Sequence, residues 1–145
     1  MALYYIDTSA LVKRYHVEHG IARIDQLFAD PTSGFVTANI TLSEITSALD
    51  RKHQEGALTF EELSATLSVI SQDFLAEFWL IELDRTHVQV SQSLIVRHHL
   101  RTLDSFHLAV LLSMREADPI LVSADQRLVE AARNEQMAVL NPTAP

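Results

Sequence analysis

The stretch Leu3-Tyr4-Tyr5-Ile6-Asp7-Thr8-Ser9-Ala10-Leu11-Val12-Lys13 changes character at Asp7. Leu3 to Ile6 is short, apolar and rich in β-formers, and Asp7-Thr8-Ser9 supplies cap-competent side chains before Ala10-Leu11-Val12. This predicts a strand running directly into a helix, with a carboxylate at the carboxyl end of the strand. Working outward, Ile21, Ile24, Leu27 and Phe28 recur at helical spacing up to Asp30-Pro31, and Gly34 to Thr37 reads as a second strand. A third helix is expected near Asn39 to Thr41, with Glu44 three residues after Thr41 as in a capping box, and a stop at Gly56. Thr59 and Glu62 repeat the capping-box pattern ahead of a stripe of Phe60, Leu63, Leu67, Ile70, Phe74 and Phe78. Trp79 to Ile81 reads as a strand, Val88 to Val96 as helix, and Leu103 leads into a helix bearing Phe106, Ala109, Val110 and Ser113. Ile120 to Val122, Gln126 to Asn134 and Met137 to Leu140 complete a β-α-α-β-α-α-β-α-α-β-α-β order. Such alternation predicts a mainly parallel sheet covered by helices on both faces.

At 145 residues, 48% of them hydrophobic, the chain suits one domain spanning 1–145 with a single sizeable core. Its 3 Gly and 4 Pro leave no room for a long linker. No basic region precedes Leu3 and no apolar run nears the roughly 18 residues of a membrane span, so a cytoplasmic protein is expected. The absence of Cys removes disulfides, thiolate zinc sites and a cysteine nucleophile, leaving oxygen and imidazole for chemistry. A formal net charge of −8 disfavours nonspecific attraction to nucleic acid, so a nucleic-acid substrate would need bound cations and a local basic strip.

Open parallel sheets gather functional groups at the carboxyl ends of their strands. Asp7 follows the first strand directly, and Asp125 follows Ile120-Leu121-Val122 after Ser123-Ala124. Asp104 lies at a helix start, where free amides favour its charge, and Glu44 near the start of another. Each acid singly reads as a cap or a solvated charge. Together in one cleft they would repel unless neutralised, and hard divalent cations are the ordinary partners of such oxygen ligands.

Four stretches resemble the PIN-domain ribonucleases, especially the VapC toxins of bacterial toxin–antitoxin systems. They are Tyr5 to Lys13, Leu42 to Leu49, Leu100 to Ala109 and Leu121 to Leu128, and the resemblance covers nearly the whole chain. It implies a PIN-like three-layer α/β/α sandwich with about four to five strands. It further implies that Asp7, Glu44, Asp104 and Asp125 form a Mg²⁺ or Mn²⁺ site, with Ser9 and Ser123 as supporting hydroxyls. The implied activity is metal-assisted hydrolysis of RNA phosphodiesters, with no protein nucleophile. Asp7 and Asp104 are the first choices for direct ligands; Glu44 and Asp125 bind directly, through water, or orient the attacking water. The implied partner is a small antitoxin protein.

Seven His residues raise the alternative of a two-imidazole mechanism without metal, with His98, His99 and His107 nearest a motif; packing or capping is the plainer reading of His107. Lys13, Arg14, Arg97 and Arg101 are candidate RNA contacts. The Phe60 to Phe78 stripe reads as core, and any exposed part would suit a homodimer seam or a groove for an amphipathic antitoxin segment. A haloacid-dehalogenase phosphatase needs an Asp where Ser9 stands, and a receiver domain needs an acidic pair after the first strand, an Asp after the third and a late Lys, of which the sequence offers only Glu82 and Asp84 after Trp79 to Ile81. A noncatalytic PIN module and a stand-alone RNA-processing nuclease remain as alternatives.

Overall fold

The computed structural model describes residues 2–16 and 20–144. Five strands form one all-parallel sheet: β1 (Leu3–Ile6), β2 (Gly34–Ala38), β3 (Phe78–Ile81), β4 (Ile120–Val122) and β5 (Ala138–Leu140). Seven α-helices accompany them among the described residues: α1 (Thr8–Tyr15), α2 (Ile21–Ala29), α3 (Ile40–Gln54), α4 (Phe60–Glu77), α5 (Arg85–His98), α6 (Thr102–Ser113) and α7 (Gln126–Asn134). The spatial order of strands is β3-β2-β1-β4-β5. The chain therefore builds outward from β1 in one direction and, after β3, returns to β1's other side, making the β1/β4 junction the switch point of the sheet.

Strand alternation separates two cores. Tyr5, Val36 and Leu121 pack with residues of α5, α6 and α7, whereas Ile6, Phe35 and Val122 pack with residues of α1 to α4. The register pairs Tyr5 with Leu121 and Ile6 with Val122, so β1 contributes equally to both layers. The result is the expected α/β/α sandwich. No helix among the described residues is long and apolar enough to cross a membrane.

Two local expectations fare differently. Thr59 and Glu62 close their capping box, with the Glu62 amide 3.1 Å from Thr59 Oγ1 and the Thr59 amide 3.0 Å from Glu62 Oε1. Thr41 and Glu44 do not form one: α3 starts at Ile40 without a side-chain cap, and the Thr41 hydroxyl meets Thr37 Oγ1 at 2.7 Å instead. The α4 stripe is also split. Leu63, Ile70, Phe74 and Phe78 are buried, but Phe60, in the first turn, is 64% exposed and touches only the edge of the His53 ring among the aromatic contacts.

Thr37 is fully buried and donates to the Ile6 carbonyl at 2.7 Å, extending the hold of β2 on β1 to the residue before Asp7. Thr37→Val keeps the shape and strands that carbonyl and the Thr41 hydroxyl. It is expected to lower unfolding stability by about 1–3 kcal/mol, read by denaturant melts.

Candidate functional site

Asp7 caps α1 at the carboxyl end of β1. Its Oδ1 accepts the Ala10 amide at 3.1 Å and the Ser9 hydroxyl at 2.8 Å, and its Oδ2 accepts the Ser123 hydroxyl at 3.0 Å. Ser9 and Ser123 in turn accept the amides of Ala124 and Asp125, each at 3.0 Å, which fastens the turn after β4 to the start of α1. Asp125 caps α7, its Oδ1 accepting the amides of Arg127 and Leu128 at 2.9 and 3.2 Å. Asp104 lies in the first turn of α6. Arg101 bridges these two acids, donating from Nε to Asp104 Oδ2 at 3.0 Å and from Nη2 to Asp125 Oδ2 at 2.7 Å. Glu44 arrives from α3 and meets His107 Nε2 through Oε1 at 2.6 Å, while His107 Nδ1 meets the Tyr5 hydroxyl at 2.8 Å. All four acids line one cleft of about 710 Å³ beside the sheet's switch point.

Charge in this cleft is costly. Asp7 is only 3% exposed, and burial lifts its pKa from 3.8 to about 6 despite the nearby His107 and the bonds from Ser9, Ala10 and Ser123. Burial, then the charge of Asp125, raises Asp104 as well, outweighing Arg101. Arg101 is 70% exposed, so water screens its ion pairs. Burial disfavours charge on His107, but its bond to Glu44 and the charges of Glu44, Asp7 and Asp104 prevail and its pKa lies above 6.5.

The donor set fits a hard cation. It consists of carboxylate and hydroxyl oxygens, and the single buried side-chain polar atom lacking a partner among the described residues, Thr8 Oγ1, belongs to a residue lining the same cleft. Among the described residues no three His, Asp or Glu side chains stand close enough together to hold a metal ion between them, so the acids share the cleft without forming a closed ligand cluster.

The PIN domain model matches residues 4–134. The chain belongs to the PIN domain family. In fold this PIN domain is similar to VapC20 of Mycobacterium tuberculosis, a sarcin–ricin loop cleaving toxin, at 16% identity over 90% of this chain and 95% of that one, with a TM-score of 0.68. It is likewise similar to VapBC2 of Rickettsia felis, solved bound to a promoter DNA fragment (14%, 96% and 98%, TM-score 0.64). A third similar structure is FitAcB of Neisseria gonorrhoeae (17%, 98% and 98%, TM-score 0.64). No curated protein matches the chain.

Of the candidate RNA contacts, Lys13 and Arg101 line the cleft of the PIN domain and Arg14 and Arg97 do not. Arg14 pairs with Glu77 at 2.8 Å and stacks on the Phe28 ring at 3.8 Å; Arg97 pairs with Glu135 at 2.6 Å, a carboxylate that also holds His98 at 3.0 Å. Arg51 and Lys52, not singled out from sequence, line the cleft with Glu44 and Ala48. They stand seven and eight residues after Glu44, two turns along α3, and three and four after Ala48, and that helical spacing is the signal that would have found them.

An acid whose folded pKa is raised destabilises the fold as pH climbs through the interval. For Asp7 the cost is absent below 3.8 and full above about 6, amounting to roughly 3 kcal/mol. In EDTA at pH 7.5, Asp7→Asn is therefore expected to melt above wild type, and the difference should vanish near pH 4. An equal or lower melting point at both pH values would show that burial does not penalise this carboxylate.

Proposed function

We propose that this PIN domain is a divalent-metal-dependent endoribonuclease, the toxin of a VapBC-like toxin–antitoxin pair, acting as one cytoplasmic domain. The observation that carries the reading is the convergence of Asp7, Glu44, Asp104 and Asp125 on one cleft at the sheet's switch point, with the most buried of them held by hydroxyls and an amide. Ser9 and Ser123 direct their protons to Asp7 and neither meets an imidazole, which disfavours a serine nucleophile. The cleft also offers a single histidine, His107, with both ring nitrogens engaged, which disfavours paired imidazole catalysis.

Asp7 and Asp104 would hold Mg²⁺ or Mn²⁺ first, with Glu44 and Asp125 binding directly, through water, or orienting the attacking water. When bound, the ion supplies a water of lowered pKa and stabilises charge on the phosphate oxygens. The chain's own contribution is placement. Ser9 and Ser123 fix the direction of Asp7, while Lys13, Arg51, Lys52 and Arg101 form the basic rim that an RNA backbone requires on a protein of net charge −8. The toxin–antitoxin setting of the similar structures supports a small antitoxin protein as partner. Exposed Phe60 and Leu75 on α4 and Trp79 on the edge strand β3 support burial of part of this side of the molecule in a homodimer or under the antitoxin.

The purified chain is expected to cleave structured RNA with Mg²⁺ or Mn²⁺ and to stop in EDTA. Asp104→Asn should lower the rate roughly a hundredfold or more while circular dichroism remains native. Full cleavage in EDTA would reject the metal mechanism. A wild type that binds RNA but never cuts it would point to a binding module instead.

A further inference from the structure

Glu44 reaches the cleft from the layer containing α1 to α4, yet the group that holds its Oε1 belongs to α6 in the opposite layer. The contact thus passes over the carboxyl edge of the sheet, and its third member, Tyr5, comes from the central strand β1. Tyr5 is fully buried and His107 is 2% exposed, their rings meeting edge to face at 5.9 Å and 75°. A carboxylate can only accept, so Nε2 must carry the proton in the 2.6 Å bond to Glu44. With Nε2 protonated, a neutral ring accepts from the Tyr5 hydroxyl through Nδ1 and a charged ring donates to it, and in either state the 2.8 Å contact keeps Nε2 turned towards Glu44.

A buried phenol and imidazole are costly polar groups in a core that an apolar pair would fill. The chain's other well-held histidines end elsewhere. His53 contacts the Leu58 carbonyl, and His87 links the start of α5 to the Ser113 hydroxyl. Only His107, among the described histidines, lines the cleft, and only its chain of bonds terminates on one of the four acids. Glutamate has one more rotatable bond than aspartate, and Asp7 and Asp125 are pinned by helix-capping bonds that Glu44 lacks.

We propose that Tyr5 and His107 are positioning residues that fix Glu44 through Oε1, so that Oε2 is the oxygen offered to the cleft. The proposal rests on the reading of the cleft as a divalent-metal site. It assigns a purpose to a polar pair that packing alone does not require.

The test compares His107→Asn with His107→Gln. Asn can reach the place of Nδ1 beside Tyr5 but not Glu44, whereas Gln can bring an amide N–H to the place of Nε2. Mn²⁺ binding is read by titration calorimetry, cleavage by separate kcat and KM for RNA, and folding by melting temperature. His107→Asn is expected to weaken Mn²⁺ binding about tenfold and to lower kcat by about 10–100-fold with KM within about twofold of wild type, effects of the size that orienting partners of metal ligands produce. His107→Gln should return both to within about threefold. Tyr5→Phe should shift both in the same direction as Asn, by less. If Asn and Gln variants match wild type in Mn²⁺ affinity and kcat, or lose both equally, His107 serves packing alone and the proposal is overturned. Should His107→Asn not fold, Glu44→Gln with and without Tyr5→Phe replaces it: the tyrosine change must cost Mn²⁺ affinity only when Glu44 is present, and an equal cost in both backgrounds refutes the link. Asp7→Asn is the control for the underlying reading. Unaltered Mn²⁺ binding in that variant would reject the metal site itself, whereas its loss there with no effect at His107 would reject only the positioning role.

Discussion

Asp7 closes β1, starts α1 and receives the hydroxyl that follows β4, so the geometry around the sheet's switch point hangs on one buried carboxylate. The bonds it accepts come from Ser9, Ser123 and the Ala10 amide, which direct a charge without neutralising it. Neutral donors lower the cost of burying an anion but do not remove it, which is why the pKa of Asp7 stays near 6. A cation delivered to the same cleft would remove that cost and restore full ionisation. Stability and metal binding are thus two sides of one electrostatic problem.

The surroundings are arranged in keeping with this. Asp125 and Asp104 are balanced in part by Arg101, an exposed group on a short connection between α5 and α6. Glu44 is balanced by His107, a buried group on the α6 scaffold. Solvated charge therefore stands on the open side of the cleft, and the buried contact stands against the core. Lys13, which is buried, and Arg51 and Lys52 also line the cleft, so basic side chains stand beside its acids in a protein of net charge −8.

Much of this was legible from local sequence because strand ends and helix caps are local events. Leu3 to Ile6 followed by Asp7, and Ile120 to Val122 followed by Ser123-Ala124-Asp125, each state a strand, a turn and a cap within a few residues. Long-range capture was not legible. The Thr41-Glu44 pattern is a good capping box in isolation, but Thr37 on β2 takes the threonine and His107, 63 positions away, takes the glutamate. Adjacent basic residues also part company for geometric reasons. Lys13 and Arg14 differ by about 100° around α1, so one lines the cleft and the other lies over Phe28. Arg97 and Arg101 are separated by His99 at φ 55, a left-handed turn that ends α5 and directs them to different carboxylates. The contact of His107 with Glu44 had only a faint sign in its place one turn after Asp104, a place for which packing or capping is the plainer reading.

Whether the buried carboxylate of Asp7 serves a cation is tested most directly by following its side-chain carboxyl in a ¹³C NMR pH titration with and without saturating Mg²⁺. The expected midpoint is near 6 without the ion, well above the ordinary 3.8, and is displaced downward when the ion is present. A midpoint at the ordinary value that does not respond to Mg²⁺ would contradict that role.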